Sequence, residues 1–169
     1  MKQGIKYTGT PSWEELESAP GRPSQQRLEK GPVAFIECVQ EIPCNPCEKA
    51  CPFQAITVAS PITNLPRLNE EKCTGCGICI ASCPGLAIFK IDLNYSPTTA
   101  LVEFPYEYYP LPEEGEVVPC ANRWGKFVAQ GKVLKIKNPR TYDGTSTIAV
   151  EIPKAFYLDV RTICRKEDY

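Results

Sequence analysis

The sequence predicts an α+β fold in three parts: a central region with pseudo-twofold symmetry, an extended N-terminal arm before it, and a small antiparallel β unit after it. Three observations predict this. Two cysteine runs recur 32 residues apart, Cys44-x2-Cys47-x3-Cys51-Pro52 and Cys76-x2-Cys79-x3-Cys83-Pro84, and repetition at a fixed offset marks a duplicated structural unit. Residues 10–31 are polar and broken by Pro11, Pro20 and Pro23, which interrupts regular structure. From Gly125 onward, short apolar stretches separated by turn residues read as strands. The boundaries are 1–31 for the arm, 32–95 for the repeated region, 96–119 for a linker rich in Pro and Tyr, and 120–169 for the β unit.

The first nine residues hold no apolar core segment and no cleavage-like pattern, so no signal peptide is expected. No later stretch approaches the roughly 20 apolar residues that cross a bilayer, so no membrane span is expected and a reducing, cytoplasmic location is. Ser12, with Glu15 three residues on, predicts a capped short helix over Ser12–Ser18. Tyr7 and Trp13 are candidate anchors against a partner, the alternative for the arm being a disordered tail. Val33–Cys38 reads as a first strand and Ala55–Ala59 as a second, with Leu65–Leu68 as its hairpin partner and Ile88–Leu93 closing the second half. Phe35, Ile36, Ile56, Val58, Ile78, Ile80, Leu86 and Ile88 are expected to be buried against the repeated loops. In the linker, Ala100–Phe104 permits one strand, and Phe104, Tyr106, Tyr108 and Tyr109 either cover a junction between lobes or offer a docking surface or electron stepping stone. Phe127–Ala129, Val133–Lys137, Thr147–Ile152 and Phe156–Arg161 each fit a half-buried strand, with residues 138–144 as a turn.

Composition narrows the chemistry. The net charge is −1 over 169 residues, so no field exists that would steer nucleic acid or an anionic membrane. There is no histidine, which excludes a His-based catalytic site on this chain, and there are ten cysteines. Extending the second run upstream gives Cys73-x2-Cys76-x2-Cys79-x3-Cys83-Pro84, the spacing of bacterial-type iron-sulfur ligation, in which the fourth cysteine serves the other cluster. Three cysteines at two-residue intervals let one tight loop deliver three thiolates, and Gly75 and Gly77 let the backbone pass close to them. The fourth position is out of reach of that loop. Reciprocal ligation therefore assigns Cys73, Cys76, Cys79 and Cys51 to one 4Fe-4S cluster, and Cys38, Cys44, Cys47 and Cys83 to a second.

One departure from the repeat stands out: Glu41 occupies the position matching Cys73, and the nearest thiol is Cys38, three residues early. Either the first loop is longer and Cys38 still reaches, which is the reading preferred, or that cluster has another fourth ligand or a three-iron form. All-thiolate zinc sites are the plain alternative for paired Cys-x2-Cys motifs, but zinc has no use for the third cysteine or the Cys-Pro ends. Disulfides fit worse in a chain unmarked for export. Cys120 and Cys164 lie outside both motifs and are expected as buried thiols, the alternative being a third metal site shared with another subunit.

Residues from about Val33 to Leu93 resemble the two-cluster bacterial ferredoxins, on the strength of eight cysteines and two Cys-Pro ends. That resemblance implies two short helices, small antiparallel hairpins and one-electron transfer along two 4Fe-4S clusters. The wider pattern, Gly31 to Cys38 leading to Glu41-Ile-Pro-Cys44-Asn-Pro-Cys47, is similar to the small iron-sulfur subunit of FAD-dependent amine or amino-acid dehydrogenase complexes of the hydroxyproline, D-proline and sarcosine type. It implies a non-catalytic electron-transfer subunit in a hetero-oligomer with a flavin-containing dehydrogenase subunit, with FAD or FMN on that partner. The competing class is an independent ferredoxin serving several redox enzymes; the long arm, aromatic linker, β unit and near-neutral charge favour the resident subunit. A structural or sensory role for the clusters ranks third.

Overall fold

The structure is a computed structural model describing residues 2–165; residue 1 of the expected arm and residues 166–169 of the expected β unit lie outside the described residues. The arm is not extended. It carries three short helices, α1 (Ile5–Thr8), α2 (Trp13–Ser18) and α3 (Gln25–Leu28), because local caps and two leucines give it structure of its own. Ser12 and Glu15 form the expected capping box, Ser12 Oγ accepting from the Glu15 N–H and the Glu15 carboxylate accepting from the Ser12 N–H. The same carboxylate accepts the Ile5 N–H at 3.1 Å, tying α1 to α2. Leu16 and Leu28 are buried. The arm is then pinned across both halves of the repeat: the Pro20 carbonyl accepts from Leu68 and the Gly21 carbonyl from Ile36, while the Glu70 carboxylate takes the Ser24 N–H and hydroxyl.

The repeated region contributes β1 (Val33–Ile36), α4 (Pro46–Ala50), β2 (Ile56–Thr57), β3 (Arg67–Leu68), α5 (Ile78–Ala81) and β4 (Ile88–Asp92). All four residues of β1 are buried. The 32-residue offset recurs in the backbone. Pro46 and Ile78 start α4 and α5, and Gln54 and Leu86 have left-handed φ values of 52° and 51°. Ile36 faces Ile88 across β1 and β4 as Leu68 faces Ile56 across β3 and β2. The Glu37 N–H donates to Ala87 O at 2.8 Å as the Asn69 N–H donates to Ala55 O at 2.7 Å. Two expected core residues differ. Ile78 is 37% exposed, since at the first position of α5 it faces outward while Cys79 and Ile80 turn in; Leu86 is only half-buried in its left-handed turn.

Beyond it lie β5 (Thr99–Tyr106), β6 (Val117–Ala121), β7 (Phe127–Lys137), β8 (Ser146–Pro153) and β9 (Thr162–Ile163). With β1 and β4 they form one antiparallel sheet in the order β1-β4-β5-β8-β7-β6-β9. The fold is thus mixed α and β, with few and short helices. The segment expected as a linker supplies β5, whose residues Val102–Tyr106 are all buried and which bridges the repeated region to β8. The C-terminal strands continue that sheet. Residues 156–161 do not form the expected strand. A 3-10 turn at Lys154–Phe156 is followed by hydrogen bonds from Asp159 and Val160 back to Phe156 O, and Phe156, Tyr157 and Leu158 pack on the core from a turn rather than a strand. In β7, Ala129, Gly131 and Val133 point inward between exposed Gln130 and Lys132. A side chain at Gly131 would meet Cys120 Sγ at 2.7 Å. One core centres on Phe104, Val133, Ile148, Val150 and Ile152; a second gathers Ala34, Ile36, Ile56, Val58, Ile80 and Ile88 around Cys47 and Cys79.

Candidate iron-sulfur site

The eight motif cysteines divide between two cavities; Cys47 and Cys79 are buried in the second core, and Cys38, Cys51, Cys73 and Cys83 pack against it. Cys51, Cys73, Cys76 and Cys79 line a tight recess of ≈ 20 Å³, with Ala34, Ala55, Ile56 and Phe89 as its apolar wall and Lys90 at its edge. Cys38, Cys44, Cys47 and Cys83 line a larger cavity of ≈ 240 Å³, closed partly by Ile5, Thr10 and Pro11 from the arm. Cys51 and Cys83 each follow a helix that begins beside the opposite set, so each lines the cavity of the other half-repeat. Cys38, the cysteine out of register, lines the larger cavity with the other three. Cys120 and Cys164 are buried elsewhere, in and beside β6 and β9, and repulsion from Cys164 adds to the burial that pushes the Cys120 thiol up to about 12.

Local structure explains how the thiols are held. Gly75 has φ +68°, and a Cβ there would lie 2.5 Å from Pro32 O, so only glycine fits this turn. Arg27 clamps the same loop, its guanidinium donating to the carbonyls of Glu70 (2.8 Å), Gly31 (3.1 Å), Pro32 (3.0 Å) and Cys73 (2.7 Å). Backbone N–H groups donate to sulfur, among them Ala34 to Cys73 at 3.4 Å, Ala55 to Cys51 at 3.2 Å and Ala87 to Cys83 at 3.5 Å. The last two are again 32 residues apart.

Electrostatics tests the fit of an iron-sulfur group. Burial pushes the Cys47 thiol up to about 11, with repulsion from Cys83, Cys44 and Cys38 adding to it. Cys79 is raised by burial and then by Cys73, Cys76, Cys51 and Cys47; Cys38 and Cys83 are also raised, chiefly by burial. Four thiolates sharing one low-dielectric cavity therefore require a cationic centre among them. Iron supplies that charge, the N–H donors suit bound thiolate sulfur, and the apolar walls exclude water, so the residues fit the group. Among the described residues, no three His, Cys, Asp or Glu side chains are placed to hold a single metal ion.

Two buried charge clusters flank the cavities and escaped sequence reasoning. Glu37, one residue before Cys38, receives Arg123 through two hydrogen bonds (Nη2 at 2.6 Å, Nε at 3.0 Å) and Arg161 through Nε at 2.8 Å. Burial alone would raise the Glu37 carboxyl, but the two guanidiniums hold it below the usual carboxylate range. Behind the other cavity, Glu103 on β5 is 1% exposed and pairs with Lys90, Lys137 (2.8 Å) and Thr147 (2.7 Å). A charged residue inside the apolar run before Cys38 was the only sequence signal for the first, since its partners lie 86 and 124 residues away.

The profile of the LdpA Fe-S cluster-binding domain matches residues 38–93. An ion-translocating oxidoreductase complex of Methanosarcina acetivorans contains a protein 49% identical to this chain over 56 residues, covering 33% of this chain and 19% of that protein. The polyferredoxin-like subunit of aliphatic sulfonate oxidoreductase from Pyrococcus furiosus is 48% identical over 48 residues, 28% of this chain and 27% of that protein. Protein Pixie from Drosophila melanogaster is 30% identical over 121 residues, 60% of this chain and 19% of that protein. The chain thus spans about a fifth to a quarter of the length of these relatives. Among the described residues, no helix is long and apolar enough to cross a membrane. The four-and-four cysteine geometry agrees with these matches: residues 38–93 are similar to an iron-sulfur cluster-binding domain and to ferredoxin-like oxidoreductase subunits.

Proposed function

We propose that this chain is the electron-transferring iron-sulfur subunit of a multi-subunit, flavin-dependent oxidoreductase of the amine or amino-acid dehydrogenase type. It holds two 4Fe-4S clusters in reciprocal ligation, one on Cys73, Cys76, Cys79 and Cys51 and one on Cys38, Cys44, Cys47 and Cys83. The observation that carries this reading is the four-and-four division of the thiols between two cavities, with Cys51 and Cys83 exchanged between half-repeats. Bound there, the clusters would supply one-electron transfer between a flavin on a partner chain, reduced by two electrons from the organic substrate, and a further acceptor.

The chain's own residues set the conditions for that transfer. Ala34, Ala55 and Ala87 aim N–H groups at ligand sulfur, and Ile36, Ile56, Ile80 and Ile88 keep water from both sites. Arg27 fixes the Cys73 loop through carbonyls, leaving the thiolate to the metal. Cys76 is exposed, and Phe53 and Ile78, 46% and 37% exposed, rim the same recess, an edge open to an acceptor. A resident subunit is supported by Trp13 and Trp124, which flank Arg123 at centroid distances of 4.9 Å and 5.6 Å while still exposed. The relatives that belong to oxidoreductase complexes support it too. The setting is a reducing, cytoplasmic one.

The test is anaerobic isolation of the tagged chain from its native host, with flavin, iron and sulfide counted in what elutes. Recovery in fixed ratio with a flavin-bearing chain is the expected result. Recovery of the iron-loaded chain alone would overturn the resident-subunit reading in favour of an independent ferredoxin.

A further inference from the structure

Glu37, Arg123 and Arg161 place one carboxylate between two guanidiniums in the protein interior, with side-chain exposures of 5%, 6% and 3%. The unit carries a net charge of +1, and an uncompensated buried charge is strongly unfavourable, so it calls for an anionic neighbour. Arg161 donates through Nη1 to the Tyr157 and Val160 carbonyls and through Nε to Glu37, while its Nη2 lies at ion-pair distance from Glu37 without a hydrogen bond among the described residues; Arg161 does not line either cysteine cavity. Arg123 spends Nε and Nη2 on Glu37 and on Leu158 O. Its Nη1 is buried and has no hydrogen-bond partner among the described residues.

Arg123 also lines the larger cavity, where among the described residues it is the only Lys or Arg beside Cys38, Cys44, Cys47 and Cys83. The tight recess has no counterpart: Lys90 at its edge is paired with Glu103, whose other cation, Lys137, is 32% exposed and solvent-screened. A guanidinium with a spare donor in a cavity lined by four cysteines suits a net-negative, sulfur-ligated group.

We propose that Arg123 presents its charge and its free Nη1 donor to the cluster held by Cys38, Cys44, Cys47 and Cys83, and that it raises that cluster's reduction potential selectively. The inference rests on the two-cluster reading above. Each reduction adds one electron to an already anionic centre, so a fixed positive charge in the same cavity favours the reduced form; hydrogen bonds to sulfur act in the same direction. Away from bulk water that attraction is weakly screened, and the effect to look for is at least a tenfold change in the reduced-to-oxidised ratio, or about 59 mV for one electron.

The test is potentiometric EPR of the anaerobically loaded full chain, with iron and sulfide counted beforehand. Arg123→Gln is expected to keep the wild-type iron count and lower one midpoint by at least the tenfold equivalent, with the other unmoved. Arg123→Lys should restore part of the shift, and Glu37→Gln, which removes the negative member, should move the same midpoint upward. Opposite signs from the two substitutions would not arise from general loosening of the site. Wild-type iron counts with both midpoints unmoved in Arg123→Gln, or both moved equally, would overturn the proposal. A wild-type chain with only one cluster's worth of iron would refute the two-cluster reading separately, and the response of its single midpoint to Arg123→Gln would still decide the role of Arg123.

Discussion

Replacing Glu103 by Gln removes the carboxylate from a buried site that holds two lysines. The side chain is 1% exposed and accepts from Lys90, Lys137 and Thr147, with Lys90 itself 14% exposed. Breaking a buried ion pair by deleting one partner costs about 3–5 kcal/mol because the remaining charge is stranded. Lys137, 32% exposed, can turn to water, so the lower end applies, about 3 kcal/mol. For a chain of this length that lowers the apparent melting temperature by about 6–12 °C, read by anaerobic thermal scanning at matched iron content. Removing both charges, with Glu103→Leu and Lys90→Met together, should recover most of that loss, since a well-packed apolar pair is close to neutral. The pH dependence follows from the sign of the shift. Burial would raise the Glu103 carboxyl, but Lys90, Lys137 and Thr147 hold it below its ordinary value of 4.5. Its contribution is therefore full above about 4.5 and fades as pH falls through the lower folded value. The gap between wild type and Glu103→Gln should narrow only in acid. A gap below about 0.5 kcal/mol at pH 7, or one that widens in acid, would refute the reasoning.

Arg27→Ala removes four hydrogen bonds to the Cys73 loop and its neighbours; at about 0.5–1.5 kcal/mol each, discounted for partial exposure, it should cost about 2 kcal/mol and speed iron loss to a chelator. Gly131→Ala forces a methyl group to within 2.7 Å of Cys120 Sγ and 3.1 Å of Ile152 Cγ2, an overpacking cost of about 1–3 kcal/mol visible as a lower urea midpoint with unchanged iron content. Ser12→Ala removes the cap of α2 for about 1 kcal/mol, and increased proteolysis confined to residues before β1 would check it. Cys83→Ser should reduce the cluster on Cys38, Cys44 and Cys47, and Cys51→Ser the one on Cys73, Cys76 and Cys79; EPR showing the reverse pattern would count against reciprocal ligation.

The parts of the fold legible in the sequence are those set by local rules. The cysteine spacing, the Ser12–Glu15 box, the apolar runs of β1 and β4 and the turn near residues 140–142 each carry their signal within a few residues. The continuous sheet was not legible, because it depends on β4 pairing with β5 and β5 with β8, contacts that span tens of residues. Strand β6 was hidden by Pro119, which lacks an N–H to pair but whose carbonyl accepts from Cys164. Apolar spacing over residues 156–161 looked like a strand and proved to be a turn packed on the core. At the site, thiols were identifiable from their spacing; Arg123 and Arg161 were not, because Glu37 meets them only once residues 86 and 124 positions away are brought to it by the folded sheet.

Iron and acid-labile sulfide analysis with Mössbauer spectroscopy, on the full chain purified anaerobically, tests the central claim most directly. Reciprocal ligation of two cubanes predicts about eight irons and about eight sulfides per chain, all in 4Fe-4S form. Zinc in place of iron, or about four irons per chain at full loading, would contradict it.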